Sequence, residues 1–271
     1  MFIDTHAHLN FKAFDNDRSE VIKRSLEQDV WMINVSSNYK TSKLAVEIAQ
    51  CYERGVFASV GLHPINCVID LSQGDEDRLE ELDIEKYRKL AKEKGVVAVG
   101  EIGLDYWNEP KGKGKAKIFK EKQKEVFLVQ LDLAKELGLP VILHCRKAHN
   151  EIIEIMCNFY AYAQKLHING VVHCFTGNRG QAQKYLDMGL YLGFNGIIFK
   201  MDLDEVMKKI PLGKILIETD CPFLTPPALG GQRNEPVNVK YVAQRIAEIR
   251  NEPLEEIVRV TTENAKKLFQ I

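Results

Sequence analysis

The chain has 271 residues, of which 45% are hydrophobic and 28% charged, and its formal net charge is −1 at pH 7. This composition fits one large domain with a sizeable core, and the near-zero charge excludes a general electrostatic attraction to nucleic acid. The six cysteines are scattered without metal-finger spacing, which excludes a disulfide scaffold and favours a reducing compartment.

Short apolar runs alternate with amphipathic segments along the whole chain. They are predicted strands, because they are rich in β-branched residues and nearly continuous in hydrophobicity, as strands buried on both faces are. The eight runs are Met1–Thr5, Val30–Val35, Val56–Val60, Val96–Gly100, Pro140–Leu143, Gly170–Val172, Leu190–Phe194 and Ile215–Ile217.

Helical patterns lie between these strands, and two more follow the eighth, over 239–249 and 254–269. An eightfold alternation in about 250 residues is typical of a (β/α)8 TIM barrel, an α/β fold. We therefore predict a single barrel domain over 1–271 with C-terminal helices. A doubly wound open sheet is the alternative, and it brings fewer strand ends together. No run approaches the roughly 20 apolar residues of a membrane span, so a cytoplasmic protein, or a nuclear one in a eukaryote, is expected.

Histidines and acids cluster at the carboxyl ends of the predicted strands. These ends form one rim in a parallel barrel, so residues far apart in sequence are expected to meet there. Residues two apart on a strand share a face, so both histidines of the first strand can point to the axis. The candidate metal ligands are His6, His8, Glu101, His144, His173 and Asp220.

This set of residue types predicts a hydrolase with two divalent ions, Mg²⁺, Mn²⁺ or Zn²⁺. Six donors are too many for one tetrahedral ion, but they suit two ions that share a bridging carboxylate. A single histidine is more often a surface or core residue than a ligand. The prediction depends on four histidines and two acids that all occupy strand ends.

Several neighbours of these residues are weaker candidates for substrate contact. His63 and Asp105 follow the third and fourth strands, and Arg146 and Lys147 follow His144 on a rim loop. A cation at that place can hold a phosphate, although a salt bridge is the simpler alternative. Asp105 has the alternative role of capping a turn.

Four further polar residues are assigned supporting or surface roles. Asp4 and Glu218 each precede a predicted ligand by two residues, so we expect them to orient imidazoles or hold structure. His149 and His167 lie in or near a predicted helix and are expected to be solvated.

A lysine- and glycine-rich stretch, 107–124, follows the fourth strand. A charge run is usually a solvated surface, but backbone phosphates need local cations, and this stretch is the densest supply in the chain. A base of a single strand could stack on Tyr106, Trp107 or Phe175.

The chain resembles the TatD family of metal-dependent deoxyribonucleases along essentially its whole length. The matching motifs occur in the expected order and at the predicted strand ends. They are Phe2–Leu9, Gly61–Pro64, Gly100–Tyr106, Val172–Gly177, Glu218–Leu224, Arg233–Pro236 and Thr262–Ala265.

The resemblance implies a barrel related to the amidohydrolases and a specific division of the ligands. His6, His8, Glu101 and Asp220 would hold one ion, and Glu101, His144 and His173 the other. It also implies hydrolysis of DNA from the 3′ end. Glu101 and Asp220 would be the catalytic residues, the first bridging the ions and the second accepting or steering the proton of the attacking water.

Lys147 departs from the family pattern, which usually has an acid there, and this puts local substrate contacts in doubt. The alternative functions are hydrolysis of RNA, or of an amide, ester or lactone, on the same barrel. A non-catalytic scaffold is opposed by the complete ligand set. DNA or RNA is the expected partner, with no membrane, and a monomer or weak oligomer is expected.

Overall fold

The structure of the protein, a computed structural model, describes residues 1–67, 80–162 and 168–271. Eight strands are hydrogen-bonded in chain order in one parallel sheet, and nearly all of their residues are buried. The strands are β1 (Phe2–Ala7), β2 (Val30–Asn34), β3 (Val56–Val60), β4 (Val96–Asp105), β5 (Val141–Arg146), β6 (Gly170–Val172), β7 (Tyr191–Phe194) and β8 (Ile215–Ile217).

The helices lie outside the sheet and pack their apolar faces against it. None of the helices within the described ranges is long and apolar enough to cross a membrane. The α-helices are α1 (Arg18–Glu27), α2 (Tyr39–Gln50), α3 (Ile84–Ala91), α4 (Lys113–Leu137), α5 (His149–Tyr162), α6 (Arg179–Asp187), α7 (Asp204–Lys209), α8 (Val239–Arg250) and α9 (Leu254–Phe269).

The ring closes where β1 meets the segment that follows β8. Ala7 and Cys221 form a parallel bridge, and the Asp220 amide donates to the His6 carbonyl at 2.8 Å. The Thr5 hydroxyl donates to the Ile217 carbonyl at 3.1 Å lower in the seam. These contacts confirm the predicted (β/α)8 barrel, with α9 packed on β1 and β8 after the last strand.

Two strands extend further toward the mouth than predicted. β4 continues through Asp105 rather than ending at Gly100, and β5 continues through Arg146. The pairing register between them shifts at Glu101, which is therefore an extra residue in a β-bulge and not a strand end. A bulge turns a side chain out of the regular alternation, so Glu101 can point into the mouth from mid-strand.

Gly103 allows β4 to pass close to β5 just beyond this bulge. Its φ of +141° favours glycine, and a Cβ there would clash with the His144 carbonyl oxygen. The bulge and the glycine together place the middle of β4 against His144.

Candidate metal centre

All six predicted ligands lie at one mouth of the barrel. Their donor atoms fall into groups in which every atom lies within 4.8 Å of the others, and His63 and Asp105 join one of these groups. The groups are His6 with His8 and Asp220, His6 with Glu101 and His173, and His63 with Asp105 and His144.

Glu101 is the centre of this cluster and is only 4% exposed. One carboxylate oxygen, Oε1, lies 2.5 Å from His144 Nδ1 and 3.5 Å from His63 Nε2, and the other lies 3.4 Å from His6 Nε2. Burial alone would raise the pKa of Glu101, but these three imidazoles hold it well below its usual value. Glu101 is therefore a carboxylate that faces several nitrogen donors at once.

His8 and Asp220 face each other across the barrel seam. His8 Nδ1 donates to the Val35 carbonyl at 2.9 Å, which leaves Nε2 turned toward Asp220 Oδ1 at 3.1 Å. His6 Nε2 lies 3.2 Å from the same His8 nitrogen. Three donor atoms thus converge on one point from β1 and from the loop after β8.

His173, like His8, has its Nδ1 held by a partner and its Nε2 turned to the centre. Its Nδ1 lies 2.9 Å from Glu218 Oε1, so Nε2 points to Glu101 and Asp220, each at 3.9 Å. Burial alone would lower the pKa of His173, but Glu218, Glu101 and Asp220 raise it to about 10. Glu218 is itself fixed by the Cys174 amide at 2.7 Å and lies against Gly193.

This arrangement of donors fits a divalent cation. When Nδ1 of His8 carries the hydrogen that bonds Val35, the neutral ring turns a lone pair toward Asp220 and His6. Facing lone pairs at about 3 Å repel one another unless a proton or a metal ion lies between them. Burial, with His173 adjacent, lowers the pKa of His6 to about 4, so this ring is neutral and has one nitrogen lone pair to offer an ion.

His144 lies between two carboxylates rather than beside His173. Its Nδ1 faces Glu101 at 2.5 Å and its Nε2 faces Asp105 Oδ2 at 3.0 Å. Burial opposes its protonation, yet Glu101 and Asp105 raise the pKa of His144 to about 9. Asp105 thus contacts a predicted ligand directly, and its other oxygen accepts the Trp107 amide at 2.9 Å.

His63 faces the centre with a hydrogen rather than a lone pair. Its Nδ1 accepts the Ile65 amide at 3.1 Å, so in the neutral ring the hydrogen is on Nε2, which points to Glu101. Burial and the neighbouring His144 lower the pKa of His63, which favours this neutral form. In this tautomer His63 is a hydrogen-bond donor toward Glu101.

Asp4 holds the structure beneath the centre. It is fully buried and accepts from the Thr219 hydroxyl at 2.6 Å and from the Thr219 amide at 2.9 Å. Burial raises the pKa of Asp4 to about 8 despite these hydrogen bonds. Asp4 therefore ties β1 to the segment that carries Asp220.

Arg146 and Lys147 are exposed beside the exposed ring of Trp107. The guanidinium carbon of Arg146 lies 4.1 Å from the ring centroid and Lys147 Nζ lies 4.3 Å from it. Four lysines of the 107–124 stretch are paired with acids. The pairs are Lys117–Glu121, Lys120–Glu109, Lys122–Glu125 and Lys124–Glu151.

Three non-glycine residues at the mouth have a left-handed backbone. Their φ angles are 58° at Asp220, 45° at Cys174 and 58° at Lys147. Such conformations cost of order 1–3 kcal/mol each and cluster at functional sites. Asp220 is itself a predicted ligand, Cys174 directly follows His173, and Lys147 lies three residues after His144.

Two expectations from the sequence need correction or addition. His149 is buried, not solvated, because it begins α5 with its Nδ1 3.2 Å from the Tyr185 hydroxyl; His167 lies outside the described residues. Ser36 and Ser59, which are fully buried beneath Glu101, had no predicted role. The available signal was a serine inside the third apolar run, at Ser59, and one directly after the second, at Ser36.

The family model of TatD related DNases matches residues 3–270. The chain belongs to this TatD-related family. Its members and neighbours are hydrolases, so the protein is a metal-dependent hydrolase of the TatD type.

Named relatives of this TatD protein span its whole length. It is 42% identical to the "uncharacterized metal-dependent hydrolase YabD" of Bacillus subtilis, with 100% of both chains covered. It is 34% identical to the "3′-5′ ssDNA/RNA exonuclease TatD" of Pantoea ananatis, with 98% of both covered. The crystal structure of the TatD homologue YJJV from Escherichia coli matches with a TM-score of 0.83 at 29% identity, over 100% of this chain and 98% of that one.

Proposed function

We propose that this protein is a deoxyribonuclease that removes nucleotides from the 3′ end of single-stranded DNA with the help of two divalent ions. The observation that carries the proposal is the convergence of histidine and carboxylate donors around Glu101 at the barrel mouth. The relative named as a 3′-5′ ssDNA/RNA exonuclease supports the substrate class and the direction.

His6, His8 and Asp220 would hold one ion together with Glu101. Glu101 and His173 would hold the second, and His144 would join them once a cation replaces the proton between its ring and Glu101. Mg²⁺, Mn²⁺ or Zn²⁺ suits this mixture of nitrogen and oxygen donors. When bound, such ions acidify an attacking water and offset the charge that develops on the phosphoryl oxygens.

The residues of the chain have separate tasks in this proposal. Asp220, whose side chain is 16% exposed, accepts the proton of the attacking water, because its carboxylate reaches both the centre and solvent. His63 Nε2–H donates to a phosphoryl oxygen. Arg146 and Lys147 hold a neighbouring phosphate of the strand.

RNA is the second candidate substrate, because the name of the Pantoea relative includes it. The sugar 2′-hydroxyl would then have to fit the same mouth. Hydrolysis of an amide, ester or lactone would use the same donors with a different leaving group. A side-by-side assay separates these functions.

The test is hydrolysis of 5′-labelled single-stranded DNA, duplex DNA, single-stranded RNA and a p-nitrophenyl ester, each with Mg²⁺, Mn²⁺ or Zn²⁺. We expect stepwise shortening of single-stranded DNA from the 3′ end, and metal analysis of two ions per chain. Glu101→Gln and Asp220→Asn should each lose at least about 100-fold in kcat. Asp132→Asn, on α4, is the matched control.

Turnover of the ester alone would overturn the nuclease proposal. Wild-type turnover by Glu101→Gln with metal present would overturn the assigned centre.

A further inference from the structure

Two large aromatic side chains stand exposed at the barrel mouth. Trp107 is 53% exposed in the loop after β4, and Phe223 is 53% exposed in the loop after β8. The other proposed stacking partners are closed to a ligand, since Tyr106 is 4% exposed and Phe175 is fully buried. Exposed aromatic rings beside a catalytic centre are unusual surface features, because burial of such rings is favourable.

Each ring is connected to a different part of the metal centre. The Phe223 ring centroid lies 6.3 Å from that of His8, and its amide donates to the Asp220 carbonyl at 2.9 Å. The Trp107 amide donates to Asp105, whose carboxylate contacts His144. Both aromatic residues are therefore anchored through their backbone amides to residues at the centre.

The order of strands places the two rings on opposite sides of the mouth. In a ring of eight strands in chain order, β4 and β8 lie across from each other. The centre joins these two sides, because Glu101 of β4 faces His173 at 3.9 Å and His173 faces Asp220, after β8, at 3.9 Å. A phosphodiester bound at the centre would therefore have one nucleoside toward each ring.

The charges around the two rings differ. Arg146 and Lys147 lie about 4 Å from the Trp107 centroid, whereas Phe223 has aromatic neighbours, Phe11 and His8. A strand continues through further phosphates on the 5′ side of the cleaved bond and ends on the 3′ side. The cationic side suits the continuing strand.

We propose that Trp107 and Phe223 form a pair of base-stacking platforms that flank the scissile phosphate of single-stranded DNA. Trp107 takes the penultimate base once the exposed Arg146 and Lys147 side chains, which lie over its ring in the free protein, turn to the phosphates, and Phe223 takes the 3′-terminal base. This inference rests on the proposed function, and it explains the single-strand preference, because paired bases have no free face at these positions.

The test uses 5′-labelled oligothymidylate with one tetrahydrofuran abasic residue at the terminal or the penultimate position. Stacking on an aromatic ring contributes about 1–3 kcal/mol per base, or roughly 5- to 150-fold. Wild-type kcat/KM should fall by about tenfold or more for either abasic oligonucleotide. The kcat/KM of Trp107→Ala should not change when the penultimate residue is abasic. That of Phe223→Ala should not change when the terminal residue is abasic.

Leu128→Ala, which removes another exposed apolar side chain, is the matched control and should keep both sensitivities. A second readout is stopped-flow fluorescence before turnover. The chain has two tryptophans, Trp31 and Trp107. Oligothymidylate should quench the tryptophan fluorescence of the wild type but not that of Trp107→Phe.

The outcomes separate this inference from the proposed function. If the wild type does not shorten unmodified oligothymidylate, the proposed function fails. If it does, but abasic substitution slows the wild type and both variants equally, only the stacking platforms are overturned. If Phe223→Ala, and not Trp107→Ala, becomes insensitive to an abasic residue at the penultimate position, the assignment of the two rings to the two bases is overturned.

Discussion

Replacement of Ser59 by alanine tests how the fold positions Glu101. The buried Ser59 hydroxyl donates to the Gly100 carbonyl at 2.8 Å, on the peptide that leads into Glu101. The Ser36 hydroxyl donates to the Ser59 carbonyl at 2.8 Å, and the Ser36 carbonyl accepts the Glu101 amide at 3.0 Å. These bonds fix both sides of the bulge that aims the carboxylate.

Loss of one such buried bond costs about 1–2 kcal/mol of unfolding free energy. Loss of a group that supports a metal ligand typically weakens metal affinity or activity about 10- to 100-fold. We therefore expect Ser59→Ala to need at least about tenfold more Mn²⁺ for half-maximal hydrolysis of oligothymidylate, with kcat near wild type at saturation.

Ser25→Ala is the matched control, because this fully buried hydroxyl donates to the Val21 carbonyl inside α1. It should lower the melting temperature by a similar amount and leave the metal requirement unchanged. If both serine variants show the wild-type metal titration, the positioning argument is refuted.

Three further predictions concern the same centre. His63→Gln should lower kcat about 100-fold while both ions stay bound, because we assign His63 as a hydrogen-bond donor to the substrate. Metal analysis that finds one ion fewer per chain in this variant would contradict the assignment. Glu218→Gln removes the charge beside His173 Nδ1 and should weaken metal binding by about 10- to 100-fold, measured by competition with a chelating dye. Mn²⁺ at 100 times its Kd should stabilise the wild type by about 2.7 kcal/mol for each occupied site in urea unfolding, and an unchanged midpoint after EDTA treatment would argue against a folded-state site.

The barrel and the convergence of the six candidate ligands at one mouth were predicted from the sequence because their signals are local. β-Branched runs give the strands, and parallel pairing puts their carboxyl ends on one rim. The bulge at Glu101 was missed, since an apolar pattern does not reveal which residue of β4 lacks a partner in β5. The grouping of His144 with Asp105 depends on that bulge.

Exposure was the second quantity that sequence patterns left undetermined. Tyr106 and Trp107 are adjacent in the chain, yet one is buried and the other exposed, because β4 ends at Asp105 and the chain turns there. His149 is buried because α5 places it against Tyr185. Such contacts depend on helix packing over the sheet, which local periodicity does not specify.

The closure of the barrel through its own ligands has a consequence for protein synthesis. His8 faces Asp220 at 3.1 Å although Asp220 is synthesised 212 positions later. A ribosome-bound nascent chain therefore holds only fragments of the centre until the segment after β8 has emerged. The donors of the centre can therefore come together only after that segment has been made.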